Sequence, residues 1–196
     1  MKPAINGRLG LALAALTLLL AACTARPEAP EAEPAPEPMG DFKLGFVVVV
    51  AKNPEIGPLS REVTEEQLIE AFKPRLERRL RAFDGERLYN VAVTIEGYIL
   101  AKPGIPVVAS ISSGIVVALN VWDDERGVRV TEEHKRFTVV EKFSGKSFIG
   151  SGLTQNKEQQ LASLAESTVE QIMKYLRANQ DVFRPDSPPN PPPAES

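Results

Sequence analysis

The sequence contains very little cysteine, histidine or tryptophan, with one residue of each among 196. A single cysteine, Cys23, excludes a disulfide framework within one chain. One cysteine and one histidine cannot supply the three or four soft ligands that a zinc site needs. Acid–base catalysis at neutral pH would depend on His134 or on a carboxylate with a strongly shifted pKa. Small disulfide-rich proteins and zinc enzymes are therefore excluded.

The middle of the chain also lacks an excess of charge of either sign. Residues 41–180 contain 19 Lys or Arg and 19 Asp or Glu, so the net charge of -3 comes from the two ends. A neutral domain has no electrostatic attraction for nucleic acid. The basic residues at 73–81 interleave with Glu70 and Glu77 at helical spacing, which is typical of a solvated helix face. We expect no nucleic-acid partner.

The first 22 residues have the organisation of a secretory signal. Lys2 and Arg8 precede fourteen mostly apolar residues at 9–22. This stretch is shorter than the roughly 20 residues of a membrane-spanning helix. It ends in small residues directly before the only cysteine: Leu20, Ala21, Ala22 and Cys23. We predict a signal peptide at 1–22. An ordinary signal peptide that happens to contain a cysteine, or a retained hydrophobic anchor, is the alternative.

The sequence Leu20-Ala21-Ala22-Cys23 resembles the lipobox of bacterial lipoproteins. The resemblance implies that Cys23 receives a diacylglyceryl group and an N-acyl chain such as palmitate, and becomes the first residue after cleavage. Several acyl chains anchor a protein stably, whereas one holds only marginally. We expect no cofactor besides this covalent lipid. In enteric bacteria an Asp after the cysteine retains lipoproteins at the inner membrane, so Thr24 favours the outer membrane.

Proline is concentrated near the two ends of the chain. Five of the 17 prolines lie at 27–38 and six at 185–193. Segments of this composition bury too little apolar surface to fold. We predict that residues 23–40 consist of the lipidated cysteine followed by a disordered Pro/Glu-rich tether. We also predict a disordered tail at 181–196. At ~3.1 Å per residue, the tether could hold the domain up to roughly 50 Å from the lipid.

The segment 41–180 is predicted to form one globular domain that begins with a strand and a helix. Residues 42–51 alternate and then continue in four valines, which is typical of a strand inside a sheet. Thr64 and Gln67 form a capping box that begins the first helix. Pro74 should kink that helix or split it in two.

Three further strands and a second helix complete the domain. Alternation predicts strands at 88–101, 110–123 and 128–143, with a bulge or bend near 132–135 in the last. Asn156 and Gln159 begin the second helix. The order β-α-β-β-β-α predicts an α+β fold. It has a mixed four-stranded sheet whose first two strands are parallel, with both helices packed on one face.

The sheet face away from the helices is predicted to be apolar. Strand alternation directs the even-numbered residues of 110–124 and the odd-numbered residues of 42–51 toward it. The apolar residues in this set are Trp122, Val116, Val47 and Val49. Either a segment such as 105–109 or another protein should cover such a face. We expect a partner surface anchored by Trp122. The alternative is that Trp122 completes the core of its hairpin.

Three apparent functional motifs fail on spacing or context. The residues at 145–147 imitate the end of a nucleotide-binding loop, but Val140 stands where that loop requires glycine. The acidic residues at 123–125 suit a hairpin turn and lack the spacing of a calcium loop. His134 lies in a charged segment without a G-x-S-x-G elbow elsewhere. We therefore expect no nucleotide, no metal and no catalytic activity.

The lipobox, tether and strand-helix-strand-strand-strand-helix domain resemble small accessory lipoproteins of Gram-negative envelopes. Penicillin-binding-protein activator lipoproteins and curli-secretion-related lipoproteins share such a layout. The resemblance implies a membrane-anchored periplasmic protein that binds or assists an envelope assembly, through an envelope protein partner or by self-association. Two alternatives stay open, namely a homo-oligomeric structural subunit of a secretion assembly and an envelope hydrolase.

Overall fold

The computed structural model describes residues 38–102, 113–131, 135–141, 156–184 and 186, all within one compact unit. Several sites named from the sequence lie outside the described residues: the signal peptide, Cys23, His134 and the segments 105–109 and 145–147. The disorder expected for the tether and the tail stays a prediction.

Six strands and two α-helices make up the described part of the chain. In chain order they are β1 (Phe42–Val50), β2 (Glu55–Ile56), α1 (Glu65–Leu80), β3 (Arg87–Ile99), β4 (Gly114–Asp123), β5 (Val128–Arg129), β6 (Lys135–Val140) and α2 (Lys157–Ala178). A 3-10 helix at Gln180–Phe183 follows α2. The predicted α+β fold is confirmed. The short strand β2 was not foreseen, and the predicted strand at 128–143 is represented by β5 and β6.

The strands form one mixed sheet. β1 and β3 are parallel neighbours, with α1 as the crossover between them. β3 pairs with β4, and β4 with β6, in antiparallel fashion. The four long strands therefore follow the order β1-β3-β4-β6. β2 pairs with β3 beyond the end of β1, and β5 pairs with the end of β4.

Each helix begins at a capping box, as the sequence predicts. The Thr64 hydroxyl accepts from the Gln67 amide at 3.2 Å, and the Gln67 side chain accepts from the Thr64 amide at 3.0 Å. Asn156 and Gln159 make the equivalent pair at 2.7 and 3.2 Å. Pro74 does not split the first helix, because α1 runs continuously through it.

The two helices lie side by side and point the same way. Lys157 at the start of α2 donates to the Gln67 side chain near the start of α1, at 3.3 Å. Further along, Glu166 lies 3.6 Å from Arg75. The apolar stripes of both helices belong to one core with alternate residues of the strands. We call the sheet face that the helices cover the inner face, and the opposite one the outer face.

Two irregularities change which side chains reach the inner face. The register shifts between Leu44 and Val47 in the β1–β3 pair, and between Ile95 and Gly97 in the β3–β4 pair. An extra residue in a strand reverses the alternation of its side chains. The buried residues of β1 are accordingly even-numbered before the shift and odd-numbered after it: Phe42, Leu44, Val47 and Val49.

The core extends past both predicted domain boundaries. Met39 and Phe183 are 1% and 0% exposed, although the sequence placed the boundaries at 41 and 180. The Asp41 amide donates to the Phe183 carbonyl at 3.0 Å, which joins the two ends of the domain. Phe183 packs edge-on against Phe42 and Tyr89, with ring centroids 5.1 and 5.0 Å apart. The polar surroundings of Phe183 in the sequence concealed its role in the core.

Candidate interaction site on the outer face

Trp122 lies on the outer face near the end of β4. It alternates with Val121, which is fully buried, and is itself 43% exposed. Its neighbours across the sheet are Asn90 on β3 and Arg129 on β5. Leu88, the outer residue two positions before Asn90, is 42% exposed. The exposed indole with this apolar neighbour forms one part of the candidate site.

Val47 and Val49 do not belong to the outer face, and their prediction as partner-surface residues is wrong. Both are buried in the core beneath the helices, with 4% and 7% exposure. The prediction assumed that side chains alternate along β1 without a bulge. The bulge after Leu44 reverses the alternation, so the prediction assigned the later residues to the wrong face of the sheet. Val116 of β4 is half-buried and, by strand alternation, is directed toward the outer face as predicted.

The bulge in β1 forms around the side chain of Asn90. Its Oδ1 atom accepts a hydrogen bond from the Phe46 amide at 3.3 Å. A Cβ atom at Gly45 would collide with the same Oδ1, so only glycine leaves room for this contact. The Asn90 Nδ2 atom donates to Asp124 at 2.6 Å, which fixes the amide orientation. Asn90 therefore determines the side-chain phase of the neighbouring strand.

Three exposed apolar residues of β1 take the place of the valines named from the sequence. Phe46, Val48 and Val50 are 54%, 42% and 39% exposed and alternate with the buried Val47 and Val49. The signal in the sequence was Gly45, since glycine inside a strand often marks a bulge. These three residues form a second apolar part of the candidate site, along the β1 edge.

Polar residues separate and surround the two apolar parts. Asn90 stands in the β3 row between β1 and Trp122. Farther along the sheet, the Arg136 guanidinium contacts the Glu96 carboxylate at 2.8 Å.

An ion cluster around the buried Asp123 supports the turn that follows Trp122. Asp123 is fully buried and accepts from the Arg126 amide at 2.9 Å and from its guanidinium at 2.8 Å. The Arg87 guanidinium lies 3.4 Å from Asp123 and also contacts Glu125 at 2.7 Å. Burial alone raises the pKa of the Asp123 carboxyl, but the Arg126 hydrogen bonds and the Arg87 charge outweigh it and lower that pKa below its ordinary value.

The described residues offer little to a small ligand or a metal. A cleft of about 120 Å³ lies between β5 and the end of α2, lined by Val130, Tyr175, Asn179 and Phe183 among others. Ligand pockets commonly measure roughly 300 Å³ or more. Among the described residues, no three acidic, histidine or cysteine side chains are grouped so that they could hold a metal ion. No helix in that part of the chain is long and apolar enough to cross a membrane.

No protein-family model matches the sequence, and no curated protein does. Several solved structures show partial likeness, and three of them are the following. A hypothetical protein of Chlamydia trachomatis is 10% identical, with a TM-score of 0.44 over 71% of this chain and 98% of that one. A PelC dodecamer from Paraburkholderia phytofirmans is 13% identical, with a TM-score of 0.39 over 71% and 88%. A minor lipoprotein of Acinetobacter baumannii is 14% identical, with a TM-score of 0.28 over 67% and 94%.

Proposed function

We propose that the protein is a lipid-anchored binding component of the bacterial cell envelope, attached through Cys23. In this proposal it contacts an envelope protein through the part of the outer face around Trp122. The exposed indole carries the proposal, with 43% of Trp122 accessible beside the exposed Leu88. Interface hot spots are enriched in tryptophan, and truncating one commonly costs about 2 kcal/mol or more, a factor of roughly 30 in affinity.

The lipid anchor is supported by the sequence Leu20-Ala21-Ala22-Cys23. We expect Cys23→Ser to abolish incorporation of a palmitate analogue and to leave the signal peptide uncleaved. Thr24→Ser is the matched control and should keep both processing and acylation. Normal processing of the Cys23→Ser variant, with no acyl mass on the wild-type protein, would show that the anchor is absent.

The proposed membrane is the outer one, facing the periplasm, because Thr24 follows the cysteine instead of Asp. Separation of inner and outer membranes tests this in a host whose sorting follows the Asp rule. The wild-type protein should fractionate with the outer membrane and the Thr24→Asp variant with the inner membrane. A wild-type protein found in the inner membrane would contradict the assignment.

Crosslinking in cells tests the partner surface. A photoreactive residue at position 122 of the full-length protein should capture one discrete envelope protein. The same residue at Lys174, exposed on α2, should not capture it. Absence of capture from 122, together with strong destabilisation by Trp122→Ala, would assign the indole to the fold and overturn the proposal. A captured protein would also identify the pathway as peptidoglycan synthesis, lipid transport or secretion.

We propose a binding role and not a catalytic one. The rival is an envelope hydrolase, and incubation of the full-length protein with peptidoglycan and with simple esters separates the two. We expect no turnover above that of the buffer. Turnover that is lost on substitution of His134 or of a single serine would establish the hydrolase instead.

A further inference from the structure

β1 forms one edge of the sheet. Among the described residues β3 is the only strand that pairs with β1, and an isolated bridge joins Lys43, at the start of β1, to Asp84. β2 pairs with β3 directly after β1, with Glu55 opposite Gly97 and Ile56 opposite Tyr98. The edge therefore runs from Phe42 to Ile56.

Half of this edge has none of the features that usually keep sheet edges from pairing. Proteins protect edges with charged residues, prolines, bulges or very short strands. In β1 the single charge is Lys43, and the bulge lies at Gly45 and Phe46. The stretch Phe46–Val50, which begins at the second bulge residue, has no charge and no proline. An unprotected, apolar strand of this kind is a template for a further strand.

The side chains of this stretch also favour pairing. Phe46, Val48 and Val50 are exposed on the outer face, while Val47 and Val49 complete the core on the inner face. An added strand would extend both rows. The three exposed side chains would gain cross-strand neighbours and lose contact with water.

We propose that β1 pairs antiparallel with β1 of a second copy of this chain, about a two-fold axis at Val48. In this register Val48 lies opposite itself, Phe46 lies opposite Val50 of the second copy, and the two inner valines lie opposite each other. Outer residues meet outer residues and inner residues meet inner ones, as antiparallel pairing requires. The register pairs the entire uncharged stretch with itself, and Lys43 meets Asn53 instead of another cation.

The second copy is the occupant that the residues favour over another protein. A two-fold interface uses the same patch on both subunits, and a stretch of one aromatic residue and four valines is complementary to itself. It carries no charge that would select a different partner. Five residues of strand bury much less than the roughly 1,600 Å² of a standard interface, so the contact is weak between molecules in dilute solution.

Membrane anchorage at Cys23 would confine the molecules to one surface, raise the effective concentration of β1 and so strengthen the contact. This effect of the anchor is the one part of the inference that rests on the proposed function. The dimer is therefore tested on the full-length protein in its membrane.

A cysteine scan provides the test because the chain has one cysteine, Cys23, at the lipidation position. Val48→Cys should form a disulfide-linked dimer on mild oxidation, since residues directly opposite in antiparallel strands have Cα atoms about 4.5–5.5 Å apart. Phe46→Cys and Val50→Cys should not dimerise alone, because their own copies lie about 14 Å away. Co-expression of these two variants should produce the mixed dimer.

The controls define what would overturn the inference. Val140→Cys places an even more exposed thiol on β6, and equal dimer formation from it would mean random collision. Failure of Val48→Cys to form a dimer would also overturn the inference. Labelling with maleimide would then show whether the thiol is free, is covered by another part of the chain, or is joined to a different protein. Each of these three results contradicts the proposed dimer. Val48→Lys should weaken self-association by about 100-fold through like charges at the axis. Its unfolding midpoint should stay close to that of the wild type.

The outcomes separate this inference from the proposed function. A monomeric wild-type protein whose position 122 still captures an envelope protein refutes the dimer and leaves the binding role intact. A Val48→Cys dimer in a protein that is not acylated and captures nothing from position 122 supports the dimer and refutes the proposed function.

Discussion

The Oδ1 atom of Asn90 accepts a hydrogen bond from the backbone amide of Phe46 at 3.3 Å, across two neighbouring strands. This contact stabilises the bulge in β1. The bulge in turn places Phe46, Val48 and Val50 on the outer face and Val47 and Val49 in the core. One side chain on β3 thus determines which residues of the edge strand reach solvent.

Gly45→Ala should destabilise the protein by about 1–3 kcal/mol, because its Cβ would collide with Asn90 Oδ1. The midpoint of urea unfolding of the full-length protein measures the effect. Asn90→Ala removes the colliding atom, so the double variant should lose less stability than the two single losses combined. Strictly additive losses would show that the collision with Asn90 is not the cause.

Asp123→Asn should cost about 3 kcal/mol at pH 7, because the half-buried guanidinium groups of Arg126 and Arg87 lose the charge of the buried Asp123 carboxylate. The pKa of Asp123 is lowered in the folded state, so its contribution is present above the unfolded pKa and is lost as the pH falls through the folded one. The wild type should therefore lose stability below about pH 4, and the variant should lose less over the same range. Asp84→Asn, at an exposed site, should match the wild-type profile.

Tyr89→Phe should leave stability unchanged or raise it by about 1 kcal/mol. The Tyr89 hydroxyl is buried and has no hydrogen-bond partner among the described residues, which is costly for a polar group. Burial, with the nearby Asp123 charge, also raises the pKa of Tyr89. The ring packing on Phe42 and Phe183 is kept by phenylalanine. A clear loss of stability in thermal unfolding would mean that the hydroxyl has a stabilising contact.

Trp122→Ala should cost less than about 1 kcal/mol, because nearly half of the side chain is already exposed. Val121→Ala, at the buried position next to it, should cost about 2 kcal/mol although it removes a smaller group. As the only tryptophan, residue 122 also reports directly by fluorescence. Its emission should resemble that of a solvated indole and be quenched by iodide. Emission typical of a buried indole would contradict the exposed position.

Local signals predicted the helices correctly from the sequence. A capping box depends on two residues three positions apart, Thr64 with Gln67 or Asn156 with Gln159, and both form as expected. The phase of β4 was also correct, because Val117, Leu119 and Val121 are buried and Trp122 is exposed; Ala118, which alternates with them, is buried as well. Where the determinants of structure lie close together in the chain, the sequence pattern was sufficient.

The phase of β1 depends on a partner far away in the chain and could not be derived in the same way. Four consecutive valines have no alternation, so they do not indicate which of them face the core. Gly45 marks the place of the bulge, but the hydrogen bond that fixes it comes from Asn90 on another strand. The role of Phe183 was missed for a similar reason, since the rings that enclose it belong to Phe42 and Tyr89.

The hydrogen bond between Asp41 and Phe183 also means that the domain can finish folding only after Phe183 has been synthesised. Phe42 and Tyr89 emerge early, whereas the ring that packs against both of them comes at the end of the domain. A chain still leaving the ribosome therefore has a partly uncovered aromatic cluster. Contacts between distant parts of a sequence form slowly, and uncovered apolar surface invites association in the meantime. The interval before Phe183 arrives is thus the time at which this domain most needs the help of chaperones.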